Sequence, residues 1–421
     1  MGGTSTNQIT DEDTKTLPKT KIQSVLAIGI DTVPIVNSAK EAGYKIYAAD
    51  YFGDTDLRRK CSGCDTIIEQ KHGKSCGKMK SEFKPEAFLE MAKSLNEKYE
   101  IDAILLSSGL DDFSHVLHDL NDIVPVLGNS LKVITRIRKK PEFFEELDCL
   151  GIEHPETAVV KNVDAAKVAA IKIGYPVVIK PERGFGGAGI TAAWNSKELE
   201  TAFFDASMVS QDLLIQKFIN GVHASTSFLA TDKKVRILTI NEQLLGLNFL
   251  FQKEPFGYCG NIVPLNFASS VFEKCRFITE KIALHFGLKG SNGIDLVISN
   301  ENTPYVIEVN PRFQGTLECV ERTLGINLVE SHINACVYGS LPTIKEKVSV
   351  FCTRLILYAP KRVVASDLTV FHETRDIPLP GILIEEGEPL CSIITEGKNR
   401  KLSFEKARKL AESIYVMLSP A

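Results

Sequence analysis

An α/β and α+β multidomain architecture is what this sequence predicts: a Rossmann-like N-terminal domain, central α+β domains and a small C-terminal α+β unit. Three observations carry that expectation. SVLAIGID (24–31), TVPIVNSAKEAGY (32–44) and KIYAAD (45–50) read as buried strand, helix with a glycine stop, and strand, the opening of a βαβ unit. From 212 to 345 the chain runs through short apolar segments separated by turn residues, the mark of β-rich structure. From about 348 a shorter passage holds VFCTRLILYAP, DIPLPGILIEEGEPLCSIITEG and a closing helix near 403–418. The length of 421 residues accommodates several domains and a core that folds without staples.

In chain order, residues 1–20 are polar and short of large apolar groups, and are expected to form a disordered tail. The first domain is expected over 21–128. Asp50 ends its second strand about 20 residues after Gly29, as in dinucleotide-binding domains. The turn Gly29-Ile30-Asp31 lacks the second and third glycines of that fingerprint, so no pyrophosphate turn is expected. DTIIE, IDAILLSS and VPVLG continue the alternation. A helical segment from Ser130 to Leu150 opens a second unit, 129–211, which runs through GIEHPET to the strand ending in VVIKP. A third, 212–345, holds the candidate strands DLLIQKFI, STSFLAT, VRILTI, LLGLNFL, GIDLVIS and PYVIEVN. Residues 346–421 make the small C-terminal domain.

Composition narrows the function classes. The net charge of −4 and the lack of a long basic run argue against a nucleic-acid partner. No apolar run approaches the ~18 residues of a membrane span, so no membrane partner is expected. Ten cysteines scattered through the chain, with no apolar leader, read as reduced thiols of a cytoplasmic protein.

YPVVIKPERGFGGAGI (175–190) contains a literal G-x-G-x-x-G at Gly184, Gly186 and Gly189. A dinucleotide fingerprint needs a helix directly afterwards, for the pyrophosphate to sit on its N-terminus. ITAAWNS follows instead, which reads as the second strand of a hairpin. A glycine-rich hairpin has another use: its backbone N–H groups lie over nucleotide phosphates, and glycine permits the close approach. Lys180 ends the incoming strand, where its ammonium can meet phosphate oxygens; a mobile hairpin tip with a solvated lysine is the other reading.

PYVIEVNPRFQGT (304–316) alternates Glu308, Asn310 and Arg312, positions that share one face of a strand. Glu and Asn are oxygen ligands of the kind Mg2+ takes, and Arg suits a phosphate or carboxylate. GIDLVIS (293–299) places Asp295 on a neighbouring strand, and a hairpin through NENT would bring it to Glu308.

With these motifs in order the chain resembles the ATP-grasp superfamily, to which D-alanine–D-alanine ligase, biotin carboxylase and carbamoyl phosphate synthetase belong. The resemblance runs over about 21–345. Lys140, in RKKPEFFEELDCLGIEHPET, stands at the family's first nucleotide lysine, Lys180 at the second, and Gly184, Gly186, Gly187 and Gly189 in its glycine-rich loop. LLIQKFINGVHAS (213–225) resembles the adenine hinge, which implies ATP contacts at Gln216, Lys217, Phe218, Ile219 and His223. Asp295, Glu308 and Asn310 stand at the metal ligands, with the EVNPR signature intact. Two positions depart from the pattern: Lys217 where the hinge usually has glutamate, and His223 where an acidic residue often serves the ribose. The resemblance implies an ATP-grasp fold for 129–211 and 212–345, with ATP and Mg2+ (or Mn2+) as cofactors. It further implies an ADP-forming carboxylate–amine ligase acting through an acyl phosphate, with a small-molecule carboxylic acid and an amine as substrates. Arg312 and Lys180 would be catalytic, and a homodimer is the assembly the family suggests. Biotin-dependent carboxylation, needing a separate carrier because no A-M-K-M segment is present, and a non-catalytic ATP-binding subunit are the alternatives.

Other clusters read less sharply. Cys61, Cys64, His72 and Cys76 offer zinc ligands, a redox pair or ordinary thiols. DDFSHVLHDL reads as a solvated helix N-terminus, with a metal face at His115 and His118 as the alternative, and Ser107, Ser108 and Gly109 before it end a strand where substrate can bind. Tyr258 to Asn261 reads as a loop, either a structural one or one near the nucleotide or the acceptor. Gly315, Thr316 and Glu318 read as a helix cap or a substrate carboxylate site.

Overall fold

The computed structural model describes residues 21–75, 83–184, 186–344 and 350–420. The expected tail at 1–20 lies outside the described residues, as do Cys76 and Phe185.

The N-terminal domain builds as its sequence pattern indicates. Its elements are β1 (Ser24–Gly29), α1 (Val33–Glu41), β2 (Lys45–Asp50), α2 (Thr55–Lys60), β3 (Gly63–Thr66), α3 (Glu86–Lys98), β4 (Ala103–Leu106), α4 (Ser114–Ile123) and β5 (Val126–Leu127). All neighbours are parallel, in the order β3-β2-β1-β4-β5. Both faces of the sheet are covered, which is why β1 reads as an unbroken apolar run. Asp50 serves the fold: one oxygen accepts from Thr32 N and Oγ1, the other from Phe52 N and Gly53 N, tying together the turns after β1 and β2. It therefore has no free oxygen for a ribose.

The expected helix over 130–150 is two helices, α5 (Leu131–Arg138) and α6 (Lys140–Cys149), parted at Lys139. Pro141 explains the break: it has no N–H to continue the ladder of α5, but suits the first turn of a new helix. There follow β6 (Thr157–Val160), α7 (Val163–Ile173), β7 (Val177–Pro181), β8 (Thr191–Ala193), α8 (Ser196–Ser207) and β9 (Leu213–Lys217). They form an antiparallel sheet in the order β6-β9-β7-β8, with α7 and α8 in its core cluster. Asn162 and Asn195 cap these helices through their side-chain oxygens. β9 thus belongs to the sheet of the second unit, although the sequence places it at the start of the third.

The remaining chain makes β10 (Gly221–Ala230), β11 (Val235–Leu245), β12 (Tyr258–Val263), α9 (Ser269–Phe286), β13 (Gly290–Ser299), β14 (Pro304–Asn310), α10 (Leu317–Leu324), α11 (Leu328–Tyr338), β15 (Phe351–Tyr358), β16 (Val363–Val364), β17 (Thr374–Arg375), β18 (Leu383–Ile384), β19 (Pro389–Gly397), α12 (Arg400–Met417) and β20 (Ser419–Pro420). LLGLNFL is not a strand of its own. Its first two residues finish β11, Gly246 turns at φ +58°, and Asn248–Leu250 make a short 3-10 turn. One eight-stranded sheet, β14-β13-β10-β11-β12-β15-β19-β17, runs from the expected metal strands into the C-terminal passage. Among the described residues no helix is long and apolar enough to cross a membrane.

Candidate active site

The polar residues singled out in the sequence meet on the β13–β14 hairpin. The antiparallel register sets Asp295 opposite Glu308 and Gly293 opposite Asn310, and an irregularity in the pairing follows Asp295. Asn310 Nδ2 donates to Asp295 Oδ2 at 3.1 Å, and Gln243 Nε2, from β11, donates to Asp295 Oδ1 at 2.8 Å. β14 ends at Asn310, so Arg312 reaches the site from the turn beyond the strand rather than from its face. Its Nη2 donates to Asn310 Oδ1 at 3.1 Å and its Nε to Asp111 Oδ2 at 2.7 Å.

Three cations face this hairpin. Lys140, buried at the start of α6, places Nζ 3.3 Å from Glu308 Oε2. Arg138, at the end of α5, places Nη1 3.9 Å from the same oxygen. Lys180, buried on β7, is the third; burial and the neighbouring positive charge of Lys140 bring its ammonium down to about 7. Burial also lowers Lys140. The Glu308 carboxyl, which burial alone would raise, is held well below the usual range by Lys140, Arg138 and Lys180. Burial and the charge of Glu308 push Asp295 up to about 7. Two carboxylates and a carboxamide in one place are the hard oxygen donors of a Mg2+ site, and cations on the far side suit an anion shared with that ion. For Asn310 to serve a cation beside Asp295, its amide must turn so that the oxygen takes the place of Nδ2.

The glycine-rich segment is a hairpin tip, because β7 and β8 pair antiparallel with Val177 opposite Ala193. Gly186, Gly187 and Gly189 all have left-handed φ, of +69°, +83° and +70°. Gly186 O accepts from Tyr258 N at 3.0 Å, and Gly187 lies so close to the carbonyl of Phe256 that a Cβ would overlap it. The loop is therefore seated on residues 256–258. Tyr258 to Asn261, expected as a loop, begins strand β12, although it does meet the glycine loop. His223 stacks edge-on against Phe256, with ring centroids 6.0 Å apart, and burial lowers its pKa, which favours the neutral ring.

Two residues of the expected hinge have partners within the fold. The Lys217 side chain turns away to donate to Gly174 O at 2.8 Å, and its N–H donates to Glu156 O. Phe218 N–H donates to Pro176 O, and its ring lies against Trp194. Both of these backbone donors are already used within the fold. The Gln216 side chain donates to Thr157 Oγ1, within the same sheet.

Asp111 and Asp112 overturn the reading of a solvated helix start. Asp112 takes Arg138 in a two-pronged pair, at 2.6 and 2.7 Å, while Asp111 holds Arg312. All four side chains are largely buried. The turn after β4 thus grips both arginines of the site. His115 pairs with Glu86, and His118 with Asp119 and Asp122, so the two histidines share no metal face. His72 packs on Gly381, and among the described residues no third acidic, histidine or cysteine ligand joins Cys61 and Cys64.

Arg354 was not singled out, yet a lone arginine in the apolar run FCTRLILY signals a charge that must find partners. It lies buried on β15; Nη2 reaches Asp31 and Asp376 at 2.8 Å each, and Nη1 reaches Gly315 O at 3.1 Å. Its Nε and Asp376 Oδ1 have no partner among the described residues. Burial, then Asp376, push Asp31 up to about 7 against the pull of Arg354. Thr316 stands at the N-cap position of α10 but makes no side-chain cap hydrogen bond; its hydroxyl lies on Ser227 Oγ at 2.9 Å instead, while Glu318 is used internally by Arg375.

Residues 137–316 match the model of the ATP-grasp domain family. Over 400 residues the chain is 26% identical to an uncharacterised protein of Methanocaldococcus jannaschii, covering 93% of this chain and 90% of that one. It is 31% identical over 221 residues to the carbamoyl phosphate synthase large chain of Pyrococcus furiosus, covering 52% of this chain and a fifth (20%) of that relative. Among solved structures, the biotin carboxylase domain of Hydrogenobacter thermophilus 2-oxoglutarate carboxylase, in complex with MgADP, ADP and bicarbonate, superposes with a TM-score of 0.73 at 18% identity, over 95% of this chain and 91% of that one. An L-amino acid ligase from Bacillus licheniformis gives 0.68 at 16% identity, over 93% and 98%. The motifs, the fold and the domain match thus agree over residues 137–316, which carry an ATP-grasp domain.

Proposed function

We propose that the protein is an ATP- and Mg2+-dependent ligase that joins a small-molecule carboxylate to an amine through an acyl phosphate, releasing ADP and phosphate. One observation carries this reading: Lys140, Lys180 and Arg138 converge on Glu308, beside Asp295 and Asn310, with Arg312 just beyond. Asp295, Glu308 and Asn310 would hold Mg2+, which when bound supplies charge neutralisation at the phosphate oxygens. Lys140 and Lys180 would steady the transferring phosphoryl group, and the Gly184–Gly189 loop would cover it and exclude water. Arg312 would stabilise the acyl phosphate and the oxyanion formed when the amine attacks. Arg354, with Asp31 and Asp376, lies beside Gly315, three residues beyond Arg312 in the chain, and is the candidate acceptor side. The L-amino acid ligase supports the C–N chemistry through its shared fold.

The test is ADP release from purified protein and Mg-ATP, screened against pools of carboxylic acids and amines, with Glu308→Gln as the blank. ADP that appears only with one acid plus one amine, and vanishes in the variant, is the expected result. Turnover that needs bicarbonate and biotin instead would replace ligation by carboxylation. Tight ATP binding with no turnover on any pool would point to a regulatory subunit.

A further inference from the structure

The turn Cys61-Ser62-Gly63-Cys64 takes no part in the site above, yet it carries two thiols on one tight turn. Cys61 caps the C-terminal end of α2, its N–H on Leu57 O at 3.1 Å. Cys64 lies on β3, the edge strand of the parallel sheet, opposite Ala48. Between them Ser62 N–H donates to Ile46 O at 2.7 Å, and Gly63 lies so flat on Tyr99 that a Cβ would come within 2.9 Å of the ring. The turn is pinned on both flanks, and the two thiols are near enough for each to shift the acidity of the other. Both cysteines are half-buried; of the other described cysteines Cys149 is exposed and the rest are buried.

The surroundings make the two thiols unlike. Arg58 Nη1 stands 3.9 Å from Cys64 Sγ, and a guanidinium beside a sulfur favours its thiolate. Cys61 sits where the negative end of the helix dipole disfavours one. The acidities agree: the neighbouring Cys61 thiol, then Arg58, bring Cys64 down to about 7 against its burial, while the neighbouring Cys64 and burial push Cys61 up.

We propose that Cys61 and Cys64 are a redox dithiol that closes to an intramolecular disulfide by exchange with a small-molecule disulfide of the glutathione class. The Cys64 thiolate attacks one sulfur of the external disulfide and expels the other as a thiolate, leaving a mixed disulfide on Cys64. Cys61 then loses its proton and attacks Cys64 Sγ, expelling the second external thiolate. The two protein thiols give up two electrons and two protons, and the external disulfide is reduced to two thiols.

The test treats reduced full-length protein with oxidised glutathione, quenches in acid, alkylates and maps the peptides by mass. The peptide with Cys61 and Cys64 is expected to be two hydrogens lighter and closed to alkylation, while solitary Cys149 carries an attached glutathione. In Cys61→Ser, Cys64 is expected to be trapped with glutathione attached; in Cys64→Ser, Cys61 is expected to stay free. On reduced wild-type protein, iodoacetamide at neutral pH should modify Cys64 several-fold faster than Cys61. A pair that stays fully open to alkylation while Cys149 takes glutathione would overturn the proposal. So would equal trapping in both variants, or stoichiometric zinc held by the two thiols in the reduced protein.

Discussion

Lys180 is the residue whose charge the fold leaves most open to a ligand. Its ammonium sits near 7, so half of it is neutral at that pH, and an anionic phosphate beside it favours the charged form. Nucleotide binding at pH 8 is therefore expected to take up a proton, read by calorimetry in buffers of different ionisation enthalpy, and Lys180→Met should remove that uptake. His332 predicts the opposite kind of linkage. It is buried between domains, Nδ1 accepting from Ser291 N at 2.8 Å and Nε2 facing Leu127 O at 3.2 Å, and burial lowers its pKa to about 4. The unfolded chain binds the proton more readily, so the neutral ring's contribution is complete above about 6.5 and is lost as pH falls towards 4, roughly 3 kcal/mol in all. Denaturant melts of wild type and His332→Gln across that window should show the slope in the first and a flatter profile in the second. Asp112→Asn leaves the Arg138 charge buried without its two-pronged partner and should cost ~3 kcal/mol; a double-mutant cycle with Arg138→Met should be far from additive. At this scale the sequence was readable where chemistry repeats at short spacing: Glu308, Asn310 and Asp295 could be paired from one hairpin. Asp111, Asp112, Gln243 and Arg354 could not, because their partners lie far along the chain and only the folded register brings them together.

Among elements, the β7–β8 hairpin depends most on single atoms. Gly187→Ala puts a Cβ into the Phe256 carbonyl at a left-handed φ, and the conformation alone costs ~1–2 kcal/mol, enough for about a tenfold rise in KM for ATP. Global stability should barely change, since the tip lies outside the core cluster of its sheet; steady-state kinetics beside a thermal melt would separate the two effects. This hairpin was legible because glycines and a following β-pattern exclude a helix. The break between α5 and α6 turned on one proline within an otherwise helical pattern, and the donation of the Lys217 and Phe218 N–H groups to Glu156 and Pro176 is a pair of contacts that periodicity does not reveal.

At the scale of the whole molecule, the parallel and antiparallel halves were both legible from how apolar residues run, but their joining was not. β12 pairs with β15 across some ninety residues, Gly260 opposite Leu355, and the C-terminal passage carries its own core of Leu355, Leu357, Ile393 and Ala411 on that shared sheet. A chain stopped at 345 is expected to be insoluble or to show weak amide protection along β12, measured by hydrogen exchange on any soluble fraction, because it loses the partner strand and uncovers Ile262. The seam also limits how such a protein can be recombined. Gly260 tolerates the approach of the Arg354 backbone only because it has no side chain, so the two strands must be inherited from the same parent. A chimera that borrows another relative's C-terminal passage will keep its register only if the crossover carries β12 and β15 together, and with them Arg354, so on the proposed reading a new acceptor specificity is imported as a sheet edge rather than as a loop.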